Sequence, residues 1–294
     1  MSKLFEALQQ LETGSDSLAT SFGVDAQAIL QQPVLTREVL GGEEETVSLA
    51  ATAAPSAAAM TPRLLPVRLS TDAPLLPFEA KFKGVAEQYR IVRTKIVQHP
   101  MAPRVIAITS VDPGDGKTTT SINVAAALAL KAETKVLLLD CDLRRGRINS
   151  LLGLPKVPGL SDVLMGKAAV NETVIQVEQY PNLFVIGAGT SSANPAEALD
   201  SENWRMLAGH LRQQFDYVIL DTPPIGLVAD TDLIHQVTDG LILVVRPDYT
   251  SRSHCMSVLA SIPPKALLGV LLNAVAEPYL GRHQYYEYTA TPKK

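Results

Sequence analysis

Two cysteines in 294 residues, Cys141 and Cys255, exclude a disulfide framework and a cysteine-built metal site, and they fit a reduced compartment. Basic charge is not in excess: 26 Lys+Arg stand against 30 Asp+Glu, a formal net charge of -4. A surface built to neutralise phosphate backbones is therefore excluded, and no nucleic acid is expected as a partner. The five histidines, at 99, 210, 235, 254 and 283, are scattered and make no metal-binding pair. Long apolar runs are lacking too. The most extended, Ala266 to Ala276, falls far short of the roughly 20 residues that cross a bilayer. No apolar segment with a basic flank opens the sequence, so a cytoplasmic protein is expected rather than a secreted one. Aromatic residues amount to only 5%, yet four of the eight tyrosines (Tyr279, Tyr285, Tyr286 and Tyr288) fall in the last 16 residues.

What is present divides the chain into unequal parts. In residues 1–40 the opening MSKLFEALQQLE places Leu4, Phe5, Leu8 and Leu11 on one helical face, an amphipathic segment suited to docking. Residues 41–80 read as an Ala/Pro-rich linker: no charge occurs from Val47 to Pro62, and prolines stand at 55, 62, 66, 74 and 77. From 81 to 276 helical stretches (118–131, 197–214, 252–261) alternate with short apolar runs: RVIAITS, KVLLLD, NLFVI, DYVILD, LILVVR and LLGVLLN. Such runs suit strands buried on both faces of a parallel sheet. The expected fold is α/β, a mostly parallel central sheet flanked by helices, with ligands bound at the carboxyl ends of the strands. Residues 277–294 form a polar, Tyr-rich tail.

Three strand ends carry chemistry. After the first comes Ser110-Val-Asp-Pro113-Gly114-Asp115-Gly116-Lys117-Thr118-Thr119. A loop of this kind turns its backbone N–H groups toward a phosphate chain, with the positive start of the next helix behind it. Gly114 and Gly116 permit close approach, Lys117 reaches the terminal phosphates and the Thr118 hydroxyl ligates Mg²⁺. The strict phosphate-loop pattern has one departure, Val111 in place of its leading glycine. The second strand ends Leu139-Asp140-Cys141-Asp142, two carboxylates able to face a cation from the same side. The third, Tyr217 to Asp221, puts an aspartate after an apolar run, at the place where a carboxylate holds the metal shell. Thr118, Asp140, Asp142 and Asp221 supply the hard oxygens that Mg²⁺ prefers, so a nucleotide with Mg²⁺ is the expected ligand.

SVDPGDGKTT, LLLDCDLRRGR and DYVILDTPP resemble the Walker A, A′ and B motifs of the bacterial tyrosine kinases of capsular and exopolysaccharide assembly. Gly159-Leu-Ser-Asp-Val-Leu164, Asn194-Pro-Ala-Glu197, VTDGLILVVR and GVLLN add to the likeness, which covers about residues 83–276. The resemblance implies a P-loop NTPase fold of the MinD/ParA-like (deviant Walker) type. It also implies a tyrosine autokinase in which Asp140 and Asp142 serve the metal and the attacking hydroxyl, Asp221 orders the metal shell and Asn273 contacts the adenine. In the helix from Val85 to Ile96, apolar residues at 85, 89, 92 and 96 predict an inward face. Glu87, Arg90 and Arg93 match the family's E-x-x-R-x-x-R subunit contact and imply a ring-like homo-oligomer. The terminal tyrosines 279, 285, 286 and 288 resemble the family's autophosphorylated tail, offered to a neighbour's site. The arrangement resembles a stand-alone kinase recruited and activated at the inner membrane by a separate chain-length regulator.

Two other functions remain open on sequence alone. MinD/ParA-type ATPase switches carry a signature lysine five residues before the loop lysine, where Asp112 stands here. A catalytically silent nucleotide-binding regulator of polysaccharide export would not need Lys117, Asp140, Asp142 and Asp221, all of which are intact.

Overall fold

A computed structural model describes residues 62–68, 75–78, 83–190 and 194–275. In chain order the elements are β1 (Arg63–Leu65), α1 (Lys83–Val97), β2 (Val105–Ser110), α2 (Lys117–Ala129), β3 (Val136–Asp140), α3 (Ile148–Leu152), α4 (Leu160–Leu164) and α5 (Val170–Thr173). They continue with β4 (Ile175–Val177), β5 (Leu183–Ile186), α6 (Pro195–Leu199), α7 (Glu202–Gln214), β6 (Tyr217–Asp221), α8 (Asp230–His235), β7 (Gly240–Val245), α9 (Arg252–Ser261) and β8 (Leu267–Leu272). The described strands form one eight-stranded sheet in the order β1-β4-β5-β3-β6-β2-β7-β8. From β5 to β8 every neighbouring pair is parallel, whereas β4 runs antiparallel to β5 and carries β1 with it.

All six apolar runs become strands of the parallel block. β2, β3, β5 and β7 are buried along their whole length, as expected for strands covered on both faces. β8, at the edge of the sheet, is only half-buried. One face of the sheet packs against α1 and α2 through Tyr89, Ile96, Ile122 and Leu128. The other packs under α4 and α7, where Trp204 and Leu211 are buried and Phe184 meets Phe215 edge to face at 5.2 Å.

The structure departs from the sequence reading in three places. The described part of the segment read as linker is not free chain: Arg63–Leu65 pairs with β4, Val67 and Leu75 are buried, and Phe78 stacks on Tyr180 at 4.0 Å. Three-residue strands leave too little pattern to recognise. On α1 the inward face is Ala86, Tyr89 and Ile96, while Val85 is 47% exposed, so the apolar stripe begins one position later than its periodicity implied. The stretch 197–214 is two helices, because the Ser201 hydroxyl accepts from the Trp204 amide at 3.2 Å and starts α7 afresh. The amphipathic segment 1–40 and the Tyr-rich tail 277–294 lie outside the described residues.

Candidate functional site

The loop between β2 and α2 is positioned by strand pairing. Ile108 lies opposite Asp221 across β2 and β6, and Asp140 lies opposite Asp221 across β3 and β6, so three strand ends open at one level. Gly114 and Gly116 hold φ of 98° and 91°, the left-handed region that favours glycine. A Cβ on Gly116 would collide with the Asn273 amide, so the glycine is required by contact as well as by conformation. Pro113, Gly114, Asp115 and Gly116 thus form one tight turn ahead of α2, whose first residues are Lys117, Thr118 and Thr119. The backbone N–H groups at this helix start have no intrahelical acceptor, which suits an anion.

Asp115 does not face outward. Its side chain is fully buried, accepting from the Asp112 amide at 2.8 Å and from the Thr250 hydroxyl at 2.6 Å. Asn273 donates to the Asp115 carbonyl at 2.7 Å, and the exposed Tyr249 donates its hydroxyl to the Pro113 carbonyl at 3.1 Å. His254 pairs with Asp112 at 3.0 Å. The loop is therefore held from behind by the chain following β7 and by the end of β8. Thr250, Tyr249 and His254 were not singled out by sequence reasoning. The available signal was their place just beyond a strand's carboxyl end, where ligand-site residues gather.

The carboxylates sit in front of the loop. Lys117 Nζ lies 3.2 Å from Asp142 Oδ2, with both side chains largely buried. Asp140 accepts from the Ile148 amide at 3.1 Å and the Asp142 amide at 3.2 Å, but burial and then the neighbouring Asp221 charge outweigh these donors and push its pKa up to about 7. Asp221 is also raised, by burial above all, against the opposing pull of Lys117 and hydrogen bonds from Thr118 and Ser121, the last at 2.9 Å. Behind this pair, Arg144 grips the fully buried Asp230 with two hydrogen bonds of 2.8 and 3.0 Å.

Among the described residues no three His, Cys, Asp or Glu side chains converge as a ready-made metal cage. The donor set still fits Mg²⁺. That ion is held by one or two carboxylates and completes its shell with phosphate oxygens and water, and two mutually repelling buried carboxylates are short of a cation.

The remaining expected residues stand apart. Glu87 and Arg90 pair with each other at 2.9 Å on α1, both around two-fifths exposed. Arg93 lines a cavity of about 350 Å³ with Val97, Leu128, Lys131 and Tyr217, at the far end of the sheet from the loop. The tyrosines at 279, 285, 286 and 288 fall outside the described residues.

An AAA domain family model matches residues 103–263, more than half of the chain. The tyrosine-protein kinase CpsD of Streptococcus pneumoniae serotype 4 is 38% identical over 197 residues, 65% of this chain and 85% of that relative. The chain belongs to the bacterial tyrosine kinase family. Among solved structures, the kinase domain of the Escherichia coli tyrosine kinase ETK matches with a TM-score of 0.64 and 27% identity, covering 73% of this chain and 90% of that domain. A MinC:MinD cell division protein complex from Aquifex aeolicus shares the fold at 24% identity, with a TM-score of 0.51 over 61% of this chain and 72% of that one. This bacterial tyrosine kinase thus shares its phosphate-loop, mostly parallel α/β fold with MinD. No described helix is long and apolar enough to cross a membrane.

Proposed function

We propose that this protein is an ATP-dependent tyrosine autokinase that phosphorylates its own terminal tyrosines and thereby regulates capsule or exopolysaccharide synthesis or export. The observation that carries this reading is the meeting of Lys117, Asp140, Asp142 and Asp221 in front of a glycine-turned phosphate loop, in a chain of the bacterial tyrosine kinase family. The loop amides and Lys117 bind and orient the β- and γ-phosphates of ATP. Thr118, Asp140, Asp142 and Asp221 would hold Mg²⁺, and Asn273, which donates to the Asp115 carbonyl of the loop, would contact the adenine. When bound, Mg²⁺ supplies positive charge against the phosphate oxygens and the clustered carboxylates.

In the transfer, the tyrosine oxygen forms a bond to the γ-phosphorus while the bond from that phosphorus to the β–γ bridging oxygen breaks. ADP leaves with the electron pair, and the phenolic proton passes to the Asp140/Asp142 carboxylates. Tyr279, Tyr285, Tyr286 and Tyr288 are the acceptors, delivered by a neighbouring copy in a ring held through Glu87, Arg90 and Arg93. Each phosphate adds about -1.5 to -2 charge, so accumulated phosphates repel the acidic site and loosen the ring. A separate membrane-bound chain-length regulator recruits and activates the kinase at the inner membrane. Asp112, engaged by His254, stands where the switch ATPases carry lysine, which favours transfer to tyrosine over partner-completed hydrolysis.

Incubation with Mg-ATP, with and without a membrane activator, followed by mass spectrometry, should reveal phosphotyrosine in the tail. Lys117→Met should abolish it. Free phosphate release without phosphotyrosine under either condition would replace the kinase with an ATPase switch. Replacing Glu87, Arg90 and Arg93 with alanine should shrink the assembly, and an unchanged mass by light scattering would remove the ring.

A further inference from the structure

The turn after Asp142 carries three arginines in four positions, Arg144, Arg145 and Arg147, and they are not equivalent. Arg144 is committed to the buried Asp230. Arg145 and Arg147 are exposed, and neither side chain has a carboxylate partner among the described residues. Their backbone, in contrast, is fixed to the reaction centre. The Arg145 amide donates to Asp142 Oδ1 at 3.0 Å and to the Asp142 carbonyl at 3.1 Å, while the amide of Ile148, next after Arg147, donates to Asp140 Oδ2 at 3.1 Å. Two uncompensated guanidinium groups are thus anchored within a residue of both carboxylates that receive the phenolic proton. Like charges gathered on one short turn repel each other, and an anion docking there would relieve that repulsion. Guanidinium also has the planar fork that takes carboxylate or phosphate through two hydrogen bonds.

We infer that Arg145 and Arg147 form the acceptor-side rim of the site and select tyrosines flanked by negative charge, with phosphotyrosine as the strongest flank. This rests on the kinase reading and names the substrate class of the same site. The tail fits the rule: Glu287 lies between Tyr286 and Tyr288, and Glu277 stands two residues before Tyr279. A first phosphate beside an unmodified tyrosine then makes the next transfer faster, so the cluster fills in succession.

Three synthetic peptides test this on the full chain with Mg-ATP: QYYEYT, the same peptide carrying phosphotyrosine at the position of Tyr286, and the version with Glu287→Lys. The expected order of kcat/KM is phosphopeptide, parent, lysine peptide, spread over about tenfold and compressed at about 0.5 M salt. The double variant Arg145→Ala/Arg147→Ala should collapse the order while affinity for a fluorescent ATP analogue stays within about twofold. Arg145→Lys/Arg147→Lys should keep the order in weaker form, which separates charge from folding. Equal kcat/KM for the three peptides on the wild type overturns the inference. So does an order that survives in the alanine variant, or a loss that appears equally in nucleotide affinity, which would assign the arginines to ATP. Absence of phosphotyrosine on every peptide and on the chain itself, with the membrane activator as well as without it, sinks the kinase reading instead. Anisotropy of the labelled phosphopeptide then decides the rim without catalysis: weaker binding to the alanine variant upholds it, and equal binding removes it.

Discussion

Aspartates at opposite ends of the same parallel sheet live under opposite electrostatic rules. At the amino ends of β2 and β7, Asp239 accepts from the Arg104 and Val105 amides at 2.8 Å each and from Arg212 at 2.7 Å, and against the cost of its burial these donors hold its carboxyl below the usual range. At the carboxyl ends of β3 and β6, Asp140 and Asp221 are more deeply buried, face each other's charge and are pushed above that range. The amino ends of parallel strands expose N–H donors, which a carboxylate satisfies. The carboxyl ends expose carbonyls, which it cannot. The same side chain is therefore a structural clasp at one end and, at the other, a carboxylate held above its ordinary range by burial and a neighbouring charge despite the amides and hydroxyls that donate to it.

The sharpest way to break this comparison is Asp140→Asn. Transfer to tyrosine should fall by about a hundredfold or more. The protein in a chelating buffer should nevertheless become more stable, by about 1 to 2 kcal/mol at pH 8. Between the unfolded carboxyl value near 3.9 and the native value of about 7, the folded wild type binds more protons than the unfolded chain, so its stability falls as pH rises through that window. Urea unfolding at pH 5 and pH 8 should show this fall in the wild type and a flatter response in the variant. A variant destabilised at both pH values would mean that Asp140 is a clasp like Asp239.

Asp239→Ala should cost about 2 to 3 kcal/mol, because two backbone N–H groups lose their acceptor. Its pH sign is the reverse. With the native pKa depressed, the contribution of Asp239 is fully present above about 3.9 and is lost as pH falls through the lower native value. Acid unfolding followed by circular dichroism should therefore lose its steepest part in the variant, while nucleotide affinity at pH 8 is unchanged.

The contrast between the two ends was half legible in the chain itself. DYVILD, KVLLLD and the phosphate loop announce the carboxyl ends, because an acidic or glycine-rich residue after an apolar run is a local pattern. The register that sets Asp140 opposite Asp221 depends on strands distant in sequence. Asp239 ends VTD, with nothing nearby to reveal that its donors come from Arg104, Val105 and Arg212. β1 and β4 escaped for a related reason: three residues carry no period, and their pairing reverses the direction of the sheet. Pattern reports what lies within a few residues, whereas clasps, braces and edges are made by contacts between distant segments.

The brace behind the phosphate loop is one such contact and supplies a middle-sized test. Thr250→Val removes one of two donors to the fully buried Asp115, a cost of about 1.5 kcal/mol. Because Asp115 belongs to the loop itself, that cost should appear as roughly tenfold weaker nucleotide binding by calorimetry. Thr250→Ser should restore it, and an unchanged affinity would show that the loop holds its shape without the brace.

Tyr249→Phe sets the lower bound. Its hydroxyl makes one hydrogen bond to the Pro113 carbonyl at 3.1 Å, and the side chain is 56% exposed, so water replaces the lost donor. The ring remains, with the Arg246 guanidinium 5.0 Å from its centroid and its body over Gly114. Nucleotide affinity should change by no more than about twofold. Agreement with that figure beside a tenfold effect at Thr250 would show that burial, not the number of hydrogen bonds, decides which brace holds the loop. Equal effects at the two positions would mean that the exposed ring fixes the loop from outside, and the distinction between satisfied interior carboxylates and solvent-facing contacts would no longer account for how this site is held.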